Sequence, residues 1–232
     1  MNHTDDRASI ETTAVIIPAY NAASHLETVV DAVARVVPRE RIIIVDDGSG
    51  DETASVASGL GAILIRHEQN RGKGAALATA FARALELGFP FVVTLDADGQ
   101  HNPLEIPSFL LAQRESGADI VVGNRMADTG KMPWLRRTTN RLTSWVLSLR
   151  TGQRIPDSQN GYRLHRTEIF RRMRLVTTRY DTESEILIKA ARNGAKIGSV
   201  PVETIYEGAK SSINPLVDSF RFLRMVIRSF FW

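Results

Sequence analysis

Two aspartates that follow an apolar run offer the clearest chemistry in the sequence. Asp96 and Asp98 come directly after the residues Val-Val-Thr-Leu at 92–95, and Gln100 follows two positions later. Carboxylates two residues apart, on a chain that turns between them, can converge on one divalent cation. Mg²⁺ and Mn²⁺ prefer such oxygen ligands and usually share them with substrate phosphates. The pattern predicts a metal site for a phosphate-bearing substrate, although carboxylates are also common at turns that only end a strand.

A second polar cluster, Asp46-Asp47-Gly48-Ser49, also follows an apolar run. Asp47 could accept hydrogen bonds from a nucleobase or a ribose, and Gly48 would let the backbone approach a ligand closely. Asp46 could instead be structural, because aspartate side chains commonly cap turns. The cluster therefore predicts a contact with a nucleoside.

The segment Asn70-Arg71-Gly72-Lys73-Gly74 stands where a long alanine-rich helix should begin. A helix N-terminus flanked by glycine and basic side chains can attract a phosphate group. The spacing matches neither the P-loop nor the six-position dinucleotide-binding fingerprint. Lys73 therefore has two open interpretations, a direct ligand contact or a plain junction between a loop and a helix.

Positive charge is concentrated between residues 131 and 154, although the net charge of the chain is only +3. This stretch has no Asp or Glu and holds the basic residues Lys131, Arg136, Arg137, Arg141, Arg150 and Arg154. Such a block predicts a phosphate-rich partner, namely a nucleotide, an anionic lipid or a nucleic acid, and the alternative is a solvated basic helix. Because no stacking platform or nucleic-acid motif accompanies the block, we expect no nucleic-acid partner.

The first half of the chain alternates short Val/Ile-rich runs with helical patterns. This alternation predicts an α/β fold with a mainly parallel sheet flanked by helices, because strands buried on both faces read as continuous apolar runs. In such sheets ligands bind beyond the carboxyl ends of the strands, where the polar clusters fall. The predicted strands are 14–18, 41–46, 62–66, 89–96 and 119–123, and the predicted helices are 24–36, 51–59, 72–87 and 103–116.

The second half is less regular. We predict a helix at 133–150, a loop at 157–164 that leads into a strand, a helix at 182–193, one or two strands at 196–206 and a last helix that begins at Asn214-Pro215. The helix at 133–150 is amphipathic, with one face formed by Leu135, Leu142, Trp145, Val146 and Leu149. The chain is thus divided into a disordered tail at 1–13, one domain at 14–212 and a C-terminal amphipathic helix at 213–232.

The composition, with 43% hydrophobic and 24% charged residues, is that of a soluble globular protein of one domain. The absence of cysteine excludes disulfides and thiolate metal sites. The polar N-terminus lacks the apolar core of a signal peptide, and the longest uncharged apolar-rich stretch, 142–149, is too short to span a bilayer. We expect a cytoplasmic protein that is peripheral at the cytoplasmic face of a membrane.

The last helix, from 215 to 231, combines an apolar face with a neighbouring stripe of arginines. An interfacial helix needs this combination, and Trp134, Trp145 and Trp232 could add to the membrane contact. The same face could instead pack on the domain or against a second copy, so a homo-oligomer stays open. The face holds Leu216, Phe220, Leu223, Ile227 and Phe230, and the stripe holds Arg221, Arg224 and Arg228.

Four motifs together resemble the family 2 glycosyltransferases in order and spacing, and among them the dolichol- and polyprenol-phosphate mannose and glucose synthases. They are Val15-Ile16-Ile17-Pro18-Ala19-Tyr20-Asn21, Val45-Asp46-Asp47-Gly48-Ser49, Asn70-Arg71-Gly72-Lys73-Gly74 and Asp96-Ala97-Asp98-Gly99-Gln100-His101. The resemblance runs from about residue 14 to 228. It implies the GT-A fold, a Rossmann-like sheet with a smaller acceptor-side region, and a hexosyltransferase activity.

The resemblance also implies a role for each matching residue. The donor would contact Pro18, Tyr20, Val45, Asp47, Lys73, Asp96, Ala97, Asp98 and Gln100. Within this set Mg²⁺ or Mn²⁺ would be held by Asp96, Asp98 and Gln100, and the catalytic group would be completed by Arg125 and Lys210. The segment 157–163 is similar to the family's Asp-x-Gln-x-Gly signature, with a tight turn at Gly161 as the alternative. The acceptor side would then hold Arg136, Arg137, Asp157, Gln159 and Asn160.

The implied reaction is an inverting transfer of a hexose, of the mannose or glucose class, from a GDP- or UDP-sugar to a polyprenyl or dolichyl phosphate. That acceptor is already anionic and needs no strong base. An alternative acceptor, a glycan or another soluble molecule, would require a carboxylate base. Asp157, Glu183 and Glu185 are candidates, although each also fits a surface carboxylate, and the last two cannot share a helix face. A non-catalytic nucleotide-binding or membrane-adaptor protein is the third alternative, but it would have no need of both Asp96 and Asp98.

Overall fold

The structure is a computed structural model, and it describes residues 8–127, 129–130, 132–179, 181–203, 205 and 215–231. Four residues that the sequence analysis singled out, Lys131, Lys210, Asn214 and Trp232, lie outside the described residues. The side chains of Leu216 and Phe220 are likewise outside them.

The predicted alternation of strands and helices in the first half is confirmed. The strands are β1 (Thr13–Ala19), β2 (Ile42–Asp46), β3 (Ile63–Arg66), β4 (Phe91–Thr94) and β5 (Ile120–Asn124). The helices are α1 (Ala23–Ala34), α2 (Thr53–Gly59), α3 (Lys73–Glu86) and α4 (Ile106–Ser116). The strand predicted at 89–96 is shorter, because the chain turns after Thr94, and the first predicted turn of α4 is a 3₁₀ helix, Pro103–Glu105.

The second half adds three helices and two strands. They are α5 (Trp134–Thr151), β6 (Arg163–Arg166), α6 (Thr182–Arg192), β7 (Ile197–Pro201) and α7 (Pro215–Arg228). Two 3₁₀ helices, Thr167–Arg172 and Ser229–Phe231, follow β6 and α7. Each of these main elements begins and ends within a few residues of its predicted position.

The strands form one sheet in the order β3-β2-β1-β4-β6-β5-β7. All neighbours are parallel except β6, which runs antiparallel to both β4 and β5. Because β6 is reversed, its first residues lie beside the end of β4, with Arg163 opposite Thr94. The loop before β6 therefore reaches the same sheet edge as the polar clusters after β1, β2 and β4.

Helices cover both faces of the sheet. On one face α1, α2 and α4 pack against inward side chains such as Val15 and Ile17. On the other face α3, α5, α6 and α7 pack against a second set that includes Ile16 and Ile43. Burial on both faces explains why the strands lack an alternating polar pattern.

The tail predicted as disordered at 1–13 is wrong for the residues that the structure describes. Ala8 is fully buried, and its backbone N–H donates to Gln113 Oε1 in α4 at 2.9 Å. Ser9 and Thr12 hydrogen-bond to each other, and Thr13 is the first residue of β1. This segment is polar because it makes a hydrogen-bonded turn, so its composition alone could not reveal that it packs on the domain.

Candidate active site

The loops after β1 and β2 are joined at the carboxyl edge of the sheet. Asn21 donates its backbone N–H to Ser49 Oγ at 2.9 Å, and its side-chain Oδ1 accepts from Gly50 N at 2.9 Å. Asn21 has a φ of 50°, a left-handed conformation that asparagine tolerates better than most residues. Tyr20, just before it, projects an exposed ring beside this junction, where the sequence predicted a nucleoside contact.

Asp46 and Asp47 have different structural tasks. Asp46 is fully buried and its Oδ1 accepts from Ser49 N at 3.0 Å, which confirms the turn-capping interpretation. Asp47 is also buried, and its two oxygens accept from Arg71 N at 3.0 Å and Gly72 N at 2.7 Å. The carboxylate predicted to meet a nucleobase therefore fastens the loop before α3 to the end of β2.

The N-terminus of α3 is occupied by protein atoms, which favours the plain junction over the phosphate contact among the two open interpretations. Gly74 N and Ala75 N both donate to Thr178 O, at 2.9 and 3.3 Å. A Cβ added to Gly72 would overlap Thr178 O, and one added to Gly74 would overlap Thr182 Oγ1. The two glycines are thus explained by the close approach of the 178–182 segment and not by a ligand.

Gly48 has a similar explanation. Its φ is +70°, and a Cβ there would lie 2.6 Å from Asn70 N. The backbone that approaches Gly48 closely is therefore the 69–70 segment of the same chain, where the sequence analysis expected a ligand.

Lys73, the first residue of α3, lies between two carboxylates. Its Nζ is 2.6 Å from Asp96 Oδ1 and 2.8 Å from Glu183 Oε1. Burial by itself would lower the pKa of Lys73 and raise that of Asp96, because it disfavours the charged form of each. The neighbouring charges outweigh burial in both cases. Asp96 and Glu183 raise the pKa of Lys73, whereas Lys73 and His101 lower the pKa of Asp96. Lys73 therefore keeps Asp96 ionised, and in this arrangement its amine is engaged by the two carboxylates.

Gly161 closes this cluster from the side of the loop before β6. A Cβ at this position would lie 2.8 Å from Glu183 Oε1, 3.0 Å from Lys73 Nζ and 3.3 Å from Asp96 Oδ1. The Gly161 carbonyl accepts from Thr94 Oγ1 at 2.7 Å, which ties the loop to the end of β4. A side chain at position 161 would displace the charged groups of this cluster, which explains the glycine.

The carboxylates at the end of β4 fit a metal ion that is completed by substrate phosphates. Asp98 is exposed, and its Oδ1 accepts from Gln100 N at 3.0 Å. Asp96 is more enclosed, with Oδ2 3.6 Å from His101 Nε2. Within the part of the chain that the structure describes, no group of three or more acidic or histidine side chains could hold a metal alone. Mg²⁺ commonly binds through one or two carboxylates plus phosphates, which matches this donor set.

Arg125, at the end of β5, is held by Asp157. Nε lies 2.8 Å from Asp157 Oδ2, Nη2 lies 3.0 Å from Oδ1, and Asn140 Nδ2 donates to Oδ1 at 2.7 Å. Burial would raise the pKa of Asp157, but Arg125 and then Asn140 lower it below its usual range. Asp157 is fully buried, and in this structure its carboxylate is occupied by Arg125 and Asn140, so it positions Arg125.

The other acceptor-side residues divide into buried and accessible groups. Asn160 is fully buried, with Nδ2 donating to Gly123 O at 2.8 Å and Oδ1 accepting from Tyr162 N at 3.1 Å, so it shapes the turn. Gln159 is exposed, and the partly exposed Arg136 and Arg137 stand in the first turn of α5. These three remain available for an acceptor.

Two predicted donor residues are buried in the protein. Val45 packs in the core on one face of the sheet and Ala97 in the core on the other. Val45 has no accessible surface in this structure, so its side chain contributes to the core at the position where the nucleoside contact was predicted. Pro18 and Gln100 are partly exposed and lie at the sheet edge with Tyr20, Asp98 and Lys73.

The structure corrects the interpretation of the three candidate bases. Asp157, Glu183 and Glu185 are all buried, so none is a surface carboxylate. The expectation that Glu183 and Glu185 face different ways is confirmed, since Glu183 meets Lys73 whereas Glu185 accepts from Val176 N and Thr177 N at 2.8 Å each. Buried carboxylates that are paired with cations or amides are poor general bases.

The model of the family described as "Glycosyl transferase family 2" matches residues 14–176. The chain belongs to glycosyl transferase family 2. The match spans every strand and helix that carries the site except α6, which supplies Glu183.

Two relatives of this glycosyltransferase cover most of its length. A UDP-N-acetylglucosamine–dolichyl-phosphate N-acetylglucosaminyltransferase of Methanococcus voltae is 35% identical over 214 residues, 83% of this chain and 85% of the relative. A polyprenol monophosphomannose synthase of Mycolicibacterium smegmatis is 32% identical over 202 residues, 82% of this chain and 76% of the relative.

The fold of this glycosyltransferase is the expected GT-A type. The crystal structure of glucosyl-3-phosphoglycerate synthase from Mycobacterium tuberculosis, in complex with Mn²⁺ and UDP-glucose, superposes with a TM-score of 0.71. The two sequences are 23% identical, and the superposition covers 94% of this chain and 77% of that one. The likeness establishes the shared architecture of the sheet and its helices.

Sequence reasoning missed Arg163, which organises the loop before β6 of this glycosyltransferase. Its guanidinium is fully buried and donates to Asn160 O, Glu183 O and Ser158 O at 2.7, 2.7 and 2.8 Å. These bonds connect the loop before β6 to the start of α6. An arginine after Gly161-Tyr162 carries no motif of its own, so only its burial reveals the role.

Proposed function

We propose that this glycosyltransferase moves a hexose, of the mannose or glucose class, from a GDP- or UDP-sugar to a polyprenyl or dolichyl phosphate at a membrane surface. The reaction inverts the configuration at the anomeric carbon of the sugar and depends on Mg²⁺ or Mn²⁺. The names of both relatives support a lipid-phosphate acceptor. Their sugars differ, so the sugar transferred here is a question for the assay.

The observation that carries the proposal is the inverted polarity of α5. Its buried face is largely polar and consists of Asn140, Thr143, Ser144 and Leu147. Its exposed face is apolar, with side chains that are 55–71% exposed, namely Trp134, Leu135, Leu142, Trp145 and Leu149. A soluble helix usually turns its apolar face inward, so this surface fits contact with lipid. The acceptor-side arginines stand on the same helix.

The end of α7 extends this apolar surface. Leu223, Ile227 and Phe230 are exposed, whereas Met225 and Val226 make the contact with the core. Arg150 at the end of α5 joins the two helices, with Nε 2.9 Å from Ser229 Oγ and its guanidinium 4.6 Å from the centre of the Phe230 ring. The predicted apolar face of α7 therefore points outward at its described positions, which supports a peripheral membrane contact. No helix within the described ranges has both the length and the apolar character to span a bilayer.

The residues of the site suit transfer between two anions. Asp98, with Asp96 and Gln100, would hold the divalent cation, whose charge would stabilise the leaving diphosphate. Lys73 keeps Asp96 ionised at neutral pH, and Asp157 orients Arg125 toward the same sheet edge. The lipid phosphate is itself the nucleophile and needs no base, which agrees with the paired state of each buried carboxylate.

A transfer screen tests this function. The purified protein is given GDP-mannose, UDP-glucose or UDP-N-acetylglucosamine with Mn²⁺ or Mg²⁺ and a short polyprenyl phosphate. We expect metal-dependent transfer to the lipid, reduced by at least about 100-fold in Asp98→Ala, since removing a charge-stabilising group typically costs that much. Asp31→Ala, which changes an exposed aspartate in α1, is the control and should transfer normally. Donor binding without lipid transfer would point to a soluble acceptor, and no nucleotide binding would leave a non-catalytic adaptor.

A further inference from the structure

A cavity of about 430 Å³ lies between α5 and the segments 124–127 and 154–156. Arg141, in α5, and Arg154, in the loop after it, both line the cavity, and Trp145 forms part of its wall. Its volume is within the range of sites that hold small molecules. None of the residues predicted to contact the donor or the acceptor lines this cavity.

The cavity carries uncompensated positive charge. Its lining contains no acidic residue. Across the described ranges, no hydrogen bond or ion pair engages the guanidinium of Arg141 or Arg154. The lining hydroxyls are used internally, since Ser144 Oγ donates to Asn140 Oδ1 at 3.0 Å and Ser148 Oγ accepts from Ile155 N at 2.9 Å. The two arginines are therefore the donors that an anion would meet, and paired guanidinium groups suit a phosphate.

The rim of the cavity is apolar on the side of the exposed face of α5. Trp145 is 59% exposed, and Leu142 and Leu149, about one turn before and after it, are 61% and 66% exposed. A ligand whose phosphate reaches Arg141 and Arg154 would thus leave the rest of its length against hydrocarbon-like surface. A membrane lipid has this combination of an anionic headgroup and apolar chains.

We propose that this cavity binds the phosphate headgroup of an anionic phospholipid and anchors α5 in the membrane, through residues other than those predicted to contact the donor or the acceptor. The inference rests on the membrane contact proposed above, but it does not depend on the transfer reaction. A bulk phospholipid is favoured over the lipid acceptor because the cavity shares no residue with the predicted acceptor side.

Vesicle co-sedimentation with the full chain tests the site. The probes are vesicles of phosphatidylcholine alone, mixed with phosphatidylglycerol, or mixed with polyprenyl phosphate at the same surface charge. We expect the protein to bind phosphatidylglycerol vesicles and Arg141→Gln/Arg154→Gln to bind them about 30-fold more weakly, from about 5-fold for each arginine near the surface. Arg35→Gln/Arg114→Gln removes the same charge from the opposite helical layer and should bind within about 3-fold of the wild type, because salt screens distant charges.

Transfer to a short, water-soluble polyprenyl phosphate separates this inference from the proposed function. Arg141→Gln/Arg154→Gln should retain wild-type kcat and KM in that assay, since neither arginine belongs to the predicted site. A raised KM with unchanged vesicle binding would make the cavity the acceptor site and overturn the inference. Equal vesicle binding by the two double variants would overturn it as well, since only general charge would then act. If the wild type bound no anionic vesicle, the result would refute both the phospholipid site and the membrane contact, regardless of the result of the transfer assay.

Discussion

Replacing Lys73 by methionine should lower the free energy of unfolding by about 3 kcal/mol, because two carboxylates lose the cation that they share. Lys73 Nζ lies 2.6 Å from Asp96 Oδ1 and 2.8 Å from Glu183 Oε1. The three side chains are only 18%, 29% and 10% exposed, so water screens them incompletely. Removing one partner of a buried ion pair costs about 3–5 kcal/mol, and the remaining water contact places this cluster at the lower end.

Urea unfolding at pH 7 measures this loss against a matched exposed pair. Arg83 Nη1 lies 3.0 Å from Glu86 Oε2, with side chains 42% and 64% exposed, so Arg83→Met should cost less than about 1 kcal/mol. Adding Glu183→Gln to Lys73→Met should restore about 1 kcal/mol, because one of the two facing carboxylates is then neutral. Equal losses of unfolding free energy in Lys73→Met and Arg83→Met would refute the conclusion that Asp96 and Glu183 share the charge of Lys73. Strictly additive effects of Lys73→Met and Glu183→Gln in the double variant would refute it as well.

The pH dependence of the same loss follows from the pKa shifts. The pKa of Asp96 is lowered, so its contribution is complete above the unfolded carboxyl pKa of about 3.9 and disappears as the pH falls through the lowered value. The pKa of Lys73 is raised, so its contribution is complete below about 10.4. Without Lys73, which lowers the pKa of Asp96, that carboxylate takes up a proton more readily on acidification. The difference between wild type and Lys73→Met should therefore shrink as the pH falls from 7 to 4, and a constant difference would contradict this reasoning.

Three further changes test other parts of the fold. Gly74→Ala should lower the free energy of unfolding, measured in urea, by about 2 kcal/mol, because the added methyl group would overlap α6. This loss should appear although alanine has the better helix propensity. The control Gly59→Ala, which has open space around it, should be neutral or stabilising. Burial, and then Arg163, hold the pKa of His165 well below its usual range, so the free energy of unfolding should fall by about 1.4 kcal/mol per pH unit below about pH 6.5. His165→Phe should flatten this dependence of the unfolding free energy on pH, whereas His25→Gln, a control at an exposed position, should keep it. The reverse pattern would contradict the attribution of the pH dependence to His165. Asp157→Asn should lower stability by about 2–3 kcal/mol without any substrate, whereas normal stability with lost transfer would restore Asp157 as a candidate base.

The candidate site was predictable where a local pattern and the sheet edge coincide. Asp98 follows a buried strand and remains exposed, as the Asp-x-Asp pattern required. The glycines of the 70–74 segment leave two interpretations open from the sequence, because the partner that explains them, Thr178, is about a hundred residues away in the chain. A close approach between distant segments leaves no local spacing to detect, so a phosphate-binding turn and a packing contact look alike from the sequence.

The sequence by itself determined the family, the mainly parallel sheet and the edge at which the chemistry lies. Continuous Val/Ile runs, turn residues and helix patterns are local signals, and parallel connections leave few topologies. Only the tertiary structure decided which charged groups are partners. The reversal of β6 brings Gly161 and Arg163 to the end of β4, and α6 then delivers Glu183 to Lys73. Packing also decided that α5 turns its apolar face outward, because the polar side chains on its other face find hydrogen-bond partners in the domain.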